Sequence, residues 1–221
     1  MAIKLSFANE LAQLSDKLGV NVSSVIKGMG LDSRIGDKFL AVSNGWGGSC
    51  LPKDTSELLQ TAKANQVDCK IIEAAIKVNE EMPLYCLGKL RQRLGNLKGK
   101  QIGLLGLTFK PETDDVRDTQ SKVFIDELLR SDCTLKVHDP EGMVLFKQIY
   151  PELKIEYCDT IPEVFMQSEA VLLITHWSHY KELDWLTLHT YMSCPYLLDT
   201  RNFWDRGMLQ SLGFEYDGLG M

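Results

Sequence analysis

Long apolar runs are missing from the 221-residue sequence. None reaches the roughly eighteen consecutive apolar residues that a membrane-spanning helix needs. The opening MAIKLSFANEL has neither a basic leader nor a cleavage site, so a secretory signal is not expected. Positive charge is also scarce: 24 Lys and Arg against 30 Asp and Glu leave a net charge of −6, which argues against a nucleic-acid partner. Cysteines 50, 69, 86, 133, 158 and 194 form no CxxC pair and no Cys/His cluster. Neither a metal site nor a disulfide frame is therefore expected, and the thiols suit a reducing, cytoplasmic compartment. What remains is an ordinary globular composition, 44% hydrophobic and 24% charged. Its length allows one large domain or two small ones, with enough buried surface to need no covalent staple.

The texture changes near residue 97. Upstream it reads as helix: Ile3, Phe7, Leu11, Leu14 and Leu18 recur on one helical face, and Gly19 ends the segment. Asn21 opens a second short helix that closes at Gly28 and Gly30. Leu31–Lys53 reads as a long glycine-rich loop, of a length that in compact domains is usually functional. Helix resumes after Asp54, with a break at Asn65–Gln66 and a kink or restart at Pro83. Downstream, short apolar runs at 101–107, 134–138, 154–157, 170–175 and 196–199 alternate with helical segments at 121–130, 143–150 and after the Thr160 capping box. Alternation of this kind predicts βαβ units and a parallel sheet. The expected fold class is thus α/β: an all-helical central domain over 1–97, then a Rossmann-like nucleotide-binding domain over 98–221. Ligands of such sheets sit at the carboxyl ends of the strands, which here read LTFKPETDD, HDP, THW and DTRN.

The decapeptide GWGGSCLPKD (45–54) carries the most chemistry. Gly45, Gly47 and Gly48 let backbone approach a ligand closely. Cys50 follows, beside Lys53 and at the start of a helix, the setting that favours a thiolate nucleophile. Asp54 could hold or deprotonate a water. A buried core cysteine, and Asp54 with Glu57 as a plain helix cap, account for the same residues without catalysis. His176 and His179 have no partner with which to hold a metal and read as a surface loop. Gly103 and Gly106 do not belong to a GxGxxG fingerprint.

Five ordered segments, LSFANELAQLSDKLGV, GMGLDSRIG, GGSCLPKD, GLLGLTFKPETDDVRDTQS and DTRN, resemble the UDP-glucose/GDP-mannose dehydrogenase family across nearly the whole chain. The resemblance implies NAD-dependent oxidation of the sugar C6 alcohol to a carboxylate, with Cys50 as the nucleophile that captures the aldehyde as a thiohemiacetal and later carries a thioester. Asp54 would support the water and proton transfers. Arg34 would reach a neighbouring subunit's substrate site, Phe39 would sit in the loop over the sugar nucleotide, and Gly47 and Gly48 would touch the sugar. Lys110 and Arg201 would bind the nucleotide. Lys53 and Arg117 would face the cofactor, and the helical domain would form a homodimer.

FKPETDDVRD looks closer to the UDP-glucose branch, and Ser49 disfavours relatives that use N-acetylated sugars; GDP-mannose is the alternative substrate. Complete family members also begin with a Rossmann domain that carries GxGxxG and binds NAD, and no such segment is visible here. The family's proton-shuttle lysine and oxyanion asparagine would lie just upstream of Met1, where the long central helix is already under way, and Lys4 and Asn9 do not replace them. The sequence is accordingly expected to be a truncated portion of such an enzyme, inactive alone, or else a non-catalytic sugar-nucleotide-binding or oligomerisation module.

Overall fold

A computed structural model describes all 221 residues. Four helices come first: α1 (Ala2–Leu18), α2 (Val22–Gly30), α3 (Leu51–Ala64) and α4 (Lys70–Leu94). Gly19 stops α1 by adopting φ +66°, and the Asn21 side chain caps α2 by accepting from the Ser23 amide. Pro83 neither breaks nor restarts a helix; it lies inside the continuous α4. The face of α1 that packs inward is built of small residues, Ala2, Ser6, Ala8, Asn9, Ala12 and Ser15. Its large apolar residues point the other way, with Ile3, Phe7, Leu14 and Leu18 between 42% and 66% exposed. Small residues on the inner face allow α1 to lie close against α4, and the Ser6 hydroxyl donates to the carbonyl of Ala75 at 2.7 Å.

The remainder is a doubly wound sheet of six parallel strands: β1 (Gln101–Leu105), β2 (Thr134–His138), β3 (Glu156–Tyr157), β4 (Ala170–Leu173), β5 (Tyr196–Asp199) and β6 (Glu215–Asp217), in the order 3-2-1-4-5-6. All four residues of β4 and of β5 are buried, as strands covered on both faces must be. Helices α5 (Gln120–Arg130), α6 (Met143–Ile149), α7 (Ile161–Phe165), α8 (Trp185–Tyr191) and α9 (Arg206–Ser211) cover the faces. The elements expected from the sequence do not include α8, α9 and β6, which are seven, six and three residues long and carry too little periodicity to register. Between β1 and β4 the winding reverses direction, and this crevice is the expected ligand position of such a sheet.

One apolar cluster runs through both parts. Val22, Met82, Leu87 and Leu90 of the helices pack with Ile102, Leu104, Phe124 and Leu198 of the sheet layer. The C-terminus adds a second tie: the Gly220 carbonyl accepts from the Val22 amide at 2.8 Å. Gly220 has φ +68°, and a Cβ there would come within 2.7 Å of Val22.

Asp139, directly after β2, is fully buried and organises the turn after β1. Its carboxylate accepts from the amides of Leu107 (2.6 Å) and Thr108 (3.1 Å), from the Gly142 amide (2.7 Å) and from the Trp177 indole (3.1 Å). Replacing it would leave several buried donors without partners. We expect Asp139→Ala to lower the unfolding free energy by about 3 kcal/mol or more, read from urea denaturation midpoints; a change within the scatter of surface substitutions would contradict this role.

Candidate active site

The segment Ser43–Gly48 threads between the helices and the sheet, and amide side chains fix it from both sides. Asn79 of α4 makes a two-way pair with Trp46, accepting from its amide at 2.6 Å and donating to its carbonyl at 2.9 Å. Gln120, at the start of α5, donates to the same carbonyl at 2.7 Å. Asn44 donates to the Ile174 carbonyl beyond β4 and to the Thr200 hydroxyl beyond β5. The glycines are a steric requirement here. A Cβ on Gly47 would lie 2.1 Å from the Asp118 carbonyl oxygen, and one on Gly48, at φ +81°, 2.7 Å from the Phe109 ring.

This seating delivers Cys50 to the start of α3. The helix begins at Leu51, so Cys50 itself occupies the N-cap position and Asp54 falls in the first turn. The reading of Asp54 and Glu57 as the helix cap is therefore incorrect: the proline at position 52 starts the helix earlier. Cys50 is the exposed cysteine of the chain. Cys86, Cys133 and Cys158 are buried, and Cys69 and Cys194 are half-buried. Lys53 and Asp54 form an exposed ion pair at 2.7 Å, and this contact holds the lysine pKa above its ordinary value.

A cavity of about 380 Å³ opens beside the loop, lined among others by Phe39, Gly47, Leu51, Lys110, His176 and Arg201. It thus brings Phe39, Gly47, Lys110 and Arg201, four of the expected site residues, to one place. Phe39 is 47% exposed and holds the left-handed φ of +61°, a strained conformation for a bulky residue. Lys110 follows β1 and Arg201 follows β5, and neither makes an ion pair with a carboxylate. Arg201 donates from Nε to the Ile174 carbonyl at 2.7 Å. Burial pushes its guanidinium pKa down to about 10, so it stays charged at neutral pH, with no carboxylate in direct contact. Two cations left unpaired at the carboxyl ends of parallel strands suit an anionic ligand.

Other expected residues lie elsewhere. Arg34 is 87% exposed and clamps Asp32, outside this cavity. Arg117 is exposed and bound through two nitrogens to Asp115, with the guanidinium pKa raised and the Asp115 carboxyl lowered by the contact. His176 is not a surface-loop residue; it is half-buried in the cavity wall. It lies in THW, one of the strand ends named above, and a lone histidine that faces a cavity has no metal-ligand spacing to mark it.

The sheet does not offer a dinucleotide site at its first turn. The Leu107 and Thr108 amides, which in a phosphate-binding turn would face the ligand, are occupied by Asp139. Space at Gly106 is filled by Thr175, whose Cβ would lie 2.4 Å from an added Cβ. NAD therefore does not fit the usual fingerprint position of this sheet.

The central-domain model of the UDP-glucose/GDP-mannose dehydrogenase family matches residues 1–81, and that family's UDP-binding-domain model matches residues 103–206. The chain belongs to the UDP-glucose/GDP-mannose dehydrogenase family. It is 37% identical over its whole length to a UDP-glucose 6-dehydrogenase of Rickettsia conorii and covers 51% of that protein. Another UDP-glucose 6-dehydrogenase, from Bacillus subtilis, is 37% identical over 220 residues and is covered to 50%. A solved UDP-glucose dehydrogenase from Pyrobaculum islandicum superposes with a TM-score of 0.87 at 34% identity, over 98% of this chain and 48% of that one. The chain spans about half the length of these family relatives. No helix is long and apolar enough to cross a membrane.

Thiol accessibility follows directly. Burial raises the pKa of Cys86 to about 12 and those of Cys133 and Cys158 to about 11. At pH 8 such thiols are thiolate to about one part in a thousand or less. An aromatic disulfide reagent should modify Cys50 first, and Cys50→Ser should remove the fast phase; a fast phase that survives would mean that the loop hides this sulfur.

Proposed function

We propose that these residues supply the substrate-binding and nucleophile-bearing part of an NAD-dependent UDP-glucose 6-dehydrogenase. The observation that carries this reading is a shared wall. The glycine loop leading to Cys50 and the two unpaired cations, Lys110 and Arg201, border one cavity at the reversal point of the sheet. A sugar diphosphate laid across it would set its phosphates against Lys110 and Arg201 and its hexose toward the loop. Gly47 and Gly48 would let the loop backbone touch the sugar.

The Cys50 sulfur, as thiolate, would add to the C6 aldehyde carbonyl and give a tetrahedral adduct that is a far better hydride donor than the aldehyde. Asp54, one turn into α3, would orient the water that cleaves the later thioester and take its proton. NAD is the hydride acceptor that family membership suggests. The first turn of the sheet offers no dinucleotide site, and Lys53 and Arg117 are the side chains we assign to the edge of the cofactor. Relatives at 34% to 37% identity named UDP-glucose dehydrogenases favour that substrate over GDP-mannose. We also read the exposed stripe of Ile3, Phe7, Leu14 and Leu18 on α1 as the contact face of a homodimer, with Arg34 reaching the neighbouring site.

Calorimetry on the 221-residue chain tests the reading. UDP-glucose should bind, and Arg201→Ala or Lys110→Ala should each weaken it about tenfold, as expected for loss of a charge-assisted bond. The same preparation supplied with NAD+ should form no NADH. Absence of UDP-glucose binding, or affinities unchanged in both variants, would contradict the assignment.

A further inference from the structure

His176 is the histidine that lines the cavity shared by Lys110 and Arg201. Its ring packs against Phe203, with centroids 5.6 Å apart, and its Nδ1 is buried without a hydrogen-bond partner. Buried polar atoms are seldom left unbonded in a folded protein; with Nδ1 unbonded, nothing in the chain ties the ring down, and the imidazole as a whole borders the cavity. Burial, and then the charge of Arg201, push the His176 pKa down to about 4. At neutral pH the imidazole therefore carries one N–H donor and one lone-pair acceptor, and no charge. A hydroxyl group, which can give or accept a hydrogen bond, suits whichever ring nitrogen faces the cavity, in either tautomer. The neutral ring is a poor match for a phosphate oxyanion, and the same wall already offers two cations for that purpose.

We propose that His176 is a substrate-binding residue that hydrogen-bonds a hydroxyl of the sugar nucleotide, on the ribose or the hexose, while Lys110 and Arg201 take the phosphates. The assignment rests on the reading of this cavity as the sugar-nucleotide site. It adds a recognition element after β4 to those after β1 and β5.

Calorimetry on the intact chain, with His176→Ala and His176→Asn beside the parent, uses UDP, UDP-glucose and inorganic pyrophosphate as ligands. Alanine should weaken nucleotide binding about three- to tenfold, the value of one lost hydrogen bond, and leave pyrophosphate binding unchanged. Asparagine, which keeps a donor and an acceptor, should recover most of the loss. A loss with UDP assigns the ribose, and a loss confined to UDP-glucose assigns the hexose. Equal affinities in all three proteins, or an equal loss for pyrophosphate, would overturn the proposal. A parent chain that binds none of the three ligands would instead overturn the reading of the cavity itself. Ring nitrogen NMR supplies an independent readout. With only four histidines in the chain, the His176 signals are identified by their absence from His176→Asn. They should move when UDP-glucose is added, and signals that stay fixed while the ligand binds would count against the contact.

Discussion

Everything at the site depends on how closely the backbone of Gly45–Gly48 is held between helix and sheet. The Trp46 carbonyl accepts from two side-chain amides, Asn79 on one side and Gln120 on the other, and Gly47 leaves no room for a Cβ against Asp118. This strip runs straight into the turn over 48–50, so the sulfur emerges at the N-cap of α3. The same strip forms one wall of the cavity whose other wall is the row of strand ends. A single close approach thus joins the exposed Cys50, carried by helices, to Lys110 and Arg201 at the edge of a sheet.

The charges follow a consistent division. Arg34, Lys53 and Arg117 each have a carboxylate at contact distance and are exposed. Lys110 and Arg201 do not, although Arg201 gives up part of its hydration to sit where it does. Holding a buried cation without a contacting carboxylate is unfavourable for the free protein, and this is why we assign Arg201 to an anionic ligand. Asp139 makes the opposite use of burial: by taking the amides of the first turn, it closes the position where a Rossmann sheet would cradle a dinucleotide.

Much of this was legible in the sequence, for identifiable reasons. Helix α1 and strands β2 and β5 were bounded correctly because caps and apolar runs mark their ends. The GGSCLPKD and FKPETDD segments announced the site because glycine and proline impose local conformation whatever surrounds them. Three things were not legible. The orientation of α1 was hidden, since its inward face is made of Ala and Ser, and its large apolar residues face outward. The start of α3 was displaced because Asp54 has the chemistry of a cap but not its position. His176 was passed over because its partner is a cavity formed from segments far apart in the chain, which no local pattern records.

The central claim is that one ligand spans both walls. A proton–nitrogen correlation titration with UDP-glucose tests it most directly. Amide signals of Gly45, Trp46 and Gly47 should shift together with those of Lys110 and Arg201, at one common midpoint. Shifts confined to the strand ends, with the glycine loop unmoved, would contradict the shared cavity.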